Sequence, residues 1–153
     1  MLQAPGGRDG LAESWRRRFE ILDRIDGAYF TRWRELSQAE RMRAGLAWPA
    51  FFFSFLYYFA KGMWEKGLLF MTVYAALGMA LGAVGVPGVL VWFWVGALCV
   101  ACAASDYYKR VEHGERIWPW LARRMPGFLR STPGLGVVAV VALGCHVAIA
   151  VQT

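Results

Sequence analysis

Apolar residues along this chain come first at helical spacing and then in unbroken runs. From Leu11, the set Leu11, Trp15, Phe19, Leu22 and Ile25 steps by three and four, which is one face of an amphipathic helix, with Arg16, Arg17 and Arg18 mostly off it. That helix is expected to end near Gly27. A second carries Tyr29, Phe30, Trp33 and Leu36, and Ser37-Gln-Ala-Glu40 has the form of a capping box that opens a third. Residues 1–10, with a proline and three glycines, are expected to be disordered.

From Leu46 the pattern changes. Leu46 to Ala60 is fifteen apolar or small residues, entered through Trp48-Pro49 and closed by Lys61. As a helix it covers about 22 Å, short of the roughly 30 Å hydrocarbon core of a bilayer. Residues 67–86 form a twenty-residue apolar run long enough to span, Val86-Pro-Gly-Val89 turns the chain, and residues 88–105 return, so that these two helices make a hairpin. Residues 106–130 are polar, with Trp118-Pro119-Trp120, Met125 and Phe128-Leu129 among arginines, and read as an interfacial segment. Residues 134–151 give a last eighteen-residue span.

Charge decides how these pieces are threaded. Of seventeen Lys and Arg residues, nine precede the central aromatic stretch, two follow it closely and six lie in the 106–130 block; none lies in the 86–89 turn or after Ser131. All seventeen stay on the cytoplasmic side only if residues 46–60 do not cross. The expected fold is therefore an all-α membrane protein: basic amphipathic cytoplasmic helices over 11–45, then one membrane bundle over 46–153. The bundle holds a short re-entrant or interfacial aromatic helix over 46–60 and three transmembrane helices over 67–86, 88–105 and 134–151. The re-entrant piece should pack on the hairpin, because non-helical backbone at membrane depth must be shielded by protein. Trp48, Phe51, Phe52, Phe53, Trp64, Trp92 and Trp94 are the expected anchoring and packing residues, as indole and phenyl rings favour the interface.

Composition supports the membrane class: 58 % of the residues are hydrophobic and 18 % charged, too apolar for a soluble domain of this size. The net charge of +6 comes from residues flanking apolar segments, which points to anionic lipid headgroups and away from nucleic acid. The amphipathic helices either lie among those headgroups or pack on a protein partner. The start, MLQAPGGRDG, lacks a basic stretch followed by an apolar run, so no cleavable signal peptide is expected. Cys99, Cys102 and Cys145 lie in apolar segments and read as small buried hydrophobes, with no disulfide framework implied.

The central stretch resembles the bacterial family known as domain of unknown function 2628, whose motif is close to N-W-x-A-F-F-F-G-P-x-W-x-x-Y-R-x-M-W. Trp48, Ala50, Phe51, Phe52, Phe53, Met63 and Trp64 match it, and Lys61 stands for the basic residue. Tyr29-Phe30, Trp33 and Asp106-Tyr107-Tyr108 resemble the family's flanking features. Ser54 and Phe55 replace its Gly-Pro pair, Tyr57 its tryptophan and Ala60 its tyrosine. Loss of Gly-Pro removes the obvious kink and leaves a straighter, tilted helix as the alternative to a re-entrant one. The resemblance implies a small bacterial inner-membrane protein and no activity.

No catalytic constellation, cofactor motif or metal set is legible. His146, inside the last span, has no intramembrane carboxylate for a proton relay, and Cys145-His146 lacks two further metal donors. The expected function is non-catalytic contact with a membrane-associated protein. Its most concrete form is an immunity protein against a membrane-acting bacterial toxin. The alternatives are an accessory subunit of an envelope or transport complex and a small homo-oligomeric channel. Gly78 and Gly82 form a GxxxG ridge which, with Tyr74, is the candidate partner-contact face, since small residues let helices approach closely in lipid.

Overall fold

The computed structural model describes residues 10–25 and 32–152. The expectations for residues 1–9 and for Tyr29 and Phe30 lie outside them. Among the described residues every regular element is helical: α1 (Glu13–Arg24), α2 (Gln38–Gly45), α3 (Trp48–Phe53), α4 (Phe55–Ala60), α5 (Trp64–Gly82), α6 (Gly88–His113), α7 (Pro119–Ala122) and α8 (Thr132–Gln152), with single 3-10 turns at Trp33–Glu35 and Gly127–Arg130. The chain divides into two compact units, Met1–Trp48 with Val100–Glu115, and Pro49–Cys99 with Arg116–Thr153.

In the first unit the apolar stripe of α1 is buried as spaced, from Leu11 through Trp15, Phe19 and Leu22 to Ile25. Its cover comes from the same chain. Trp15 meets the ring of Tyr107 edge-on at 4.7 Å, Phe19 meets Tyr108 at 5.1 Å, and the Tyr108 hydroxyl donates to Asp23 at 2.8 Å. Neither expected fate, headgroups or a partner protein, is the one this stripe takes: it packs against residues of its own chain. α6 continues eight residues past the expected end at 105, so Asp106–His113 is helix and not part of an interfacial segment; Asp106 and Tyr108 are buried there.

The capping box at α2 forms with both bonds: the Glu40 amide donates to the Ser37 hydroxyl at 3.3 Å and the Ser37 amide to the Glu40 carboxylate at 3.0 Å. Two clamps join α1 and α2. Arg24 pairs with Glu40 at 2.5 Å, and Arg18 donates to the Leu46 carbonyl at 3.0 Å, so the helices run antiparallel. The Arg24 guanidinium, and then the Ser37 amide and hydroxyl, hold the Glu40 carboxyl at a pKa of about 2. Between the two helices, the expected second amphipathic helix is reduced in its described part to one 3-10 turn.

Among the described residues two helices, not three, are long and apolar enough to cross a membrane: Gly88–His113, whose residues are shared between the two units, with mean hydropathy 2.0, and Thr132–Val151 of the second unit, with 2.4. The run expected to span at 67–86 falls short for a local reason. Its helix begins with Trp64-Glu65-Lys66 and ends at Gly82, because the turn starts early and Gly85 takes φ +81. The apolar part, 67–82, covers about 24 Å. α5 and α8 pack side by side and parallel: Glu65 meets Thr132 near their starts, and Tyr74 and Gly78 both meet His146 further along.

The aromatic stretch is not one helix. Ser54, buried, takes φ +49 and ψ −129 and separates α3 from α4. The serine that stands for the family's glycine keeps the break, which corrects the single short helix expected over 46–60 and sets aside its straighter, tilted alternative. After Ser54 the chain returns antiparallel to α5, pairing Phe55 with Tyr74, Tyr58 with Phe70 and Phe59 with Gly67.

Candidate functional site

The break at Ser54 leaves backbone groups that the helices cannot satisfy, and an apolar setting makes such groups costly. Trp92 of α6 answers one of them. Its indole N–H donates to the Phe52 carbonyl at 3.1 Å, while its ring stands edge-on to Phe55 at 5.5 Å and to Tyr74 at 5.6 Å. Phe51 stacks on Phe93 at 5.6 Å, and Gly96 lets the Phe51 carbonyl approach so closely that any Cβ there would overlap it. The Ser54 hydroxyl and Cys99 sulfur lie 3.8 Å apart. Tyr74 then passes the contact to α8, edge-on to the imidazole of His146 at 5.5 Å. One ring cluster thus ties the tip of the aromatic hairpin to α5, α6 and α8.

A polar knot closes the other end of α5. Glu65 is buried, and its Oε1 accepts from the Arg116 Nε at 2.7 Å, from the Arg116 Nη2 and from the Thr132 hydroxyl at 2.8 Å. Arg116 Nη2 also donates to the Thr132 oxygen at 2.8 Å. Burial pushes the Glu65 carboxyl up, but donation from Thr132 and Arg116 more than offsets this and holds it below the ordinary carboxylate range. The neighbouring Lys66, also buried, puts its ammonium 5.3 Å from the centre of the Trp118 ring, which meets Phe70 edge-on. The knot fixes residues 116–118 to the start of α5. Nothing in it resembles a nucleophile with its base.

Comparison with known proteins adds a family. The profile described as "Protein of unknown function (DUF2628)" matches residues 9–113. The chain belongs to that family. It is 28 % identical over 118 residues to "Uncharacterized protein YigF" of Salmonella typhimurium (strain LT2), covering 71 % of this chain and 90 % of that protein, and equally to the protein of the same name from Salmonella typhi. No solved structure matches. The DUF2628 match covers α1 to α6 and stops before Arg116, Thr132 and α8.

Of the residues that match the DUF2628 motif, Ala50 and Met63 are buried, whereas Trp48, Phe52, Phe53 and Trp64 are exposed; the substituted positions Ser54, Phe55 and Tyr57 are buried too. Phe51 and Trp92 are half-buried in the ring cluster, and Trp94 is exposed. The cluster therefore gathers Phe51, Trp92 and Tyr74, while the other expected anchoring residues are exposed, Phe52 keeping a ring contact with Phe51 and Trp64 one with Phe59. The candidate contact ridge divides: Gly78 is buried against His146 of α8, and Gly82 opens on free space. Cys99 is buried, Cys102 half-buried and Cys145 exposed.

Sequence reading missed the knot. Its signal was present in Glu65-Lys66, two ionisable residues at the mouth of an apolar run, but their partners lie 51 and 67 positions away and no spacing rule reaches them. It also missed Trp92 as a hydrogen-bond donor to a broken helix end.

Proposed function

We propose that this chain is a non-catalytic, multi-pass inner-membrane protein that works by contact with a membrane-associated protein partner, most concretely as an immunity protein that neutralises a membrane-acting bacterial toxin. The observation that carries the reading is the surface of α8. Only 11 % of its 18-residue apolar window is buried, and Val137, Val140, Val141, Gly144, Val147 and Val151 form an exposed face at helical spacing. The glycine in that face has open space around it and gives a second helix room for close approach. An accessory subunit of an envelope complex would use the same face. The genetic test below separates the two.

A third crossing by α5 belongs to this proposal. α5 runs parallel to α8 from Glu65 to Gly78, about 20 Å of helix, and a bilayer accommodates a short span by thinning or tilt at modest cost. With the aromatic hairpin re-entrant, all seventeen basic residues stay cytoplasmic and the carboxyl terminus emerges outside. A periplasm-active reporter should be active after Thr153 and silent at Glu112; activity at Glu112 overturns this topology.

For function, deleting the gene should sensitise cells only when a membrane-acting toxin is present, and expression of the chain should restore protection. Val140→Trp with Val141→Trp should abolish protection at unchanged membrane abundance. Protection that survives those changes, or ion conduction by the purified protein alone in liposomes, defeats the contact reading; a deletion phenotype tied to a transport complex favours the accessory role.

A further inference from the structure

α1 and α2 enclose a groove of about 490 Å³ lined by Glu13, Ser14, Arg17, Arg18, Ile21 and Arg43. The α1 residues are at i, i+1, i+4, i+5 and i+8, the face beside the buried stripe, and Arg43 faces them from α2. Both walls are fixed, since Arg24–Glu40 clamps one end of the helix pair and Arg18 with the Leu46 carbonyl clamps the other. Arg18 is also held against the Trp15 ring, 5.0 Å from its centre. Arg17 commits only its Nε, to Glu13 at 3.0 Å. Arg43 makes no ion pair among the described residues.

An ordinary solvated basic face carries its guanidinium groups on loose tethers. Here Arg18 is held by the Leu46 carbonyl and the Trp15 ring, and the exposed Arg17 and Arg43 stand with it around a concave space within a braced helix pair. Arginine's fork of donors matches phosphate oxygens in paired hydrogen bonds, and convergent guanidinium groups favour an anion over water. The volume lies within the range of small-molecule sites and exceeds what a bare phosphate fills. Glu13 and Ser14 add an acceptor and a hydroxyl at the rim, suited to alcohol groups and not to a second negative charge.

We infer that the α1–α2 groove binds a phosphate that carries hydroxyl groups, the chemistry of an anionic polyol headgroup such as that of phosphatidylglycerol. The lipid source rests on the membrane reading of α6 and α8; the phosphate site rests on the groove alone. Bound there, the lipid tethers the first unit to the cytoplasmic leaflet through its polar side, because the apolar side of α1 is already covered.

The test uses the full-length protein in neutral detergent and native mass spectrometry with dioctanoyl phosphatidylglycerol or dioctanoyl phosphatidylcholine, with glycerol phosphate and inorganic phosphate as soluble competitors. Phosphatidylglycerol should be preferred, and Arg17→Gln with Arg43→Gln should weaken its binding by about tenfold. Arg16→Gln with Arg34→Gln removes the same charge from outside the groove and should leave binding within about twofold. Neither pair touches the buried stripe, and an unchanged melting temperature checks that the fold survives. Equal loss from both pairs, or equal binding of phosphatidylcholine, overturns the site. Displacement of the lipid by glycerol phosphate at similar concentration overturns the headgroup assignment and leaves a soluble polyol phosphate in its place.

Discussion

Helices α1 and α8 each carry an apolar face, and the protein treats the two in opposite ways. On α1, Phe19 is 1 % exposed and Leu22 0 %, whereas on α8 Val137 is 65 % exposed, Val140 64 % and Val141 59 %. α1 has a polar side studded with arginine and meets water there, so its apolar stripe is stable only under a protein cover, which Tyr107 and Tyr108 supply. α8 has no charged residue at all. If α8 crosses a membrane, as proposed above, its medium is itself apolar, so exposure costs nothing and burial gains little. On that reading the two apolar faces answer to two solvents.

The largest effect that sharpens this contrast is a truncation on each face. Phe19→Ala should destabilise the protein by about 3 to 5 kcal/mol, since it empties a site enclosed by Trp15, Tyr107 and Tyr108. Val140→Ala should cost less than about 0.5 kcal/mol. Urea unfolding in detergent measures both. A comparable loss at Val140 would mean that protein covers α8, and the contrast would collapse.

Next in size is the polar knot, which holds Arg116 to the start of α5 by charge, beside the ring contact of Trp118 with Phe70. Glu65→Gln should cost about 1.5 to 3 kcal/mol, the range for hydrogen bonds to a charged partner in a buried site. The pH dependence has a definite sign. Because the folded carboxyl lies below its ordinary value of 4.5, its contribution is present above that pH and is lost as pH falls through the folded value. Stability curves of the wild type and Glu65→Gln should therefore converge on acidification; parallel curves would remove Glu65 as the source.

The two packed and open glycines of α5 give a third comparison. A side chain at Gly78 would overlap the His146 ring, so Gly78→Ile should cost about 1 to 3 kcal/mol through separation of α5 from α8. Gly82→Ile, with open space around it, should leave stability near the wild type. Equal losses at the two positions would show that the cost comes from the backbone and not from the helix contact.

How much of this was legible in the sequence follows from range. The stripe of α1, the capping box at Ser37 and Glu40, and the apolar runs of α6 and α8 are local patterns, and the structure shows all of them. The end of α5 was misplaced because a run of apolar letters does not mark where a glycine turns the chain; only the dihedral at Gly85 does. The cover of α1 was left open because Tyr107 and Tyr108 lie some 90 positions from Trp15 and Phe19, in a block that reads as polar. The family resemblance pointed at those tyrosines without giving them a role.

The smallest predicted effect concerns the tip of the aromatic hairpin, where the structure splits one expected helix in two. Ser54 holds φ +49 with ψ −129, a region that costs a residue with a Cβ about 1 to 3 kcal/mol and costs glycine almost nothing. Ser54→Gly should relieve that strain. Against the gain stand the lost approach of the hydroxyl to Cys99, a weak contact at 3.8 Å, and the greater freedom of glycine in the unfolded chain, about 0.5 to 1 kcal/mol. The net expectation is a stabilisation of about 0.5 to 1 kcal/mol, with the break retained because the Trp92 indole still holds the Phe52 carbonyl. Ser54→Val should have the opposite sign, since a β-branched residue fits that region worst. If Ser54→Gly destabilises and Ser54→Val does not, the strain lies elsewhere, and the hairpin is held by its ring contacts alone.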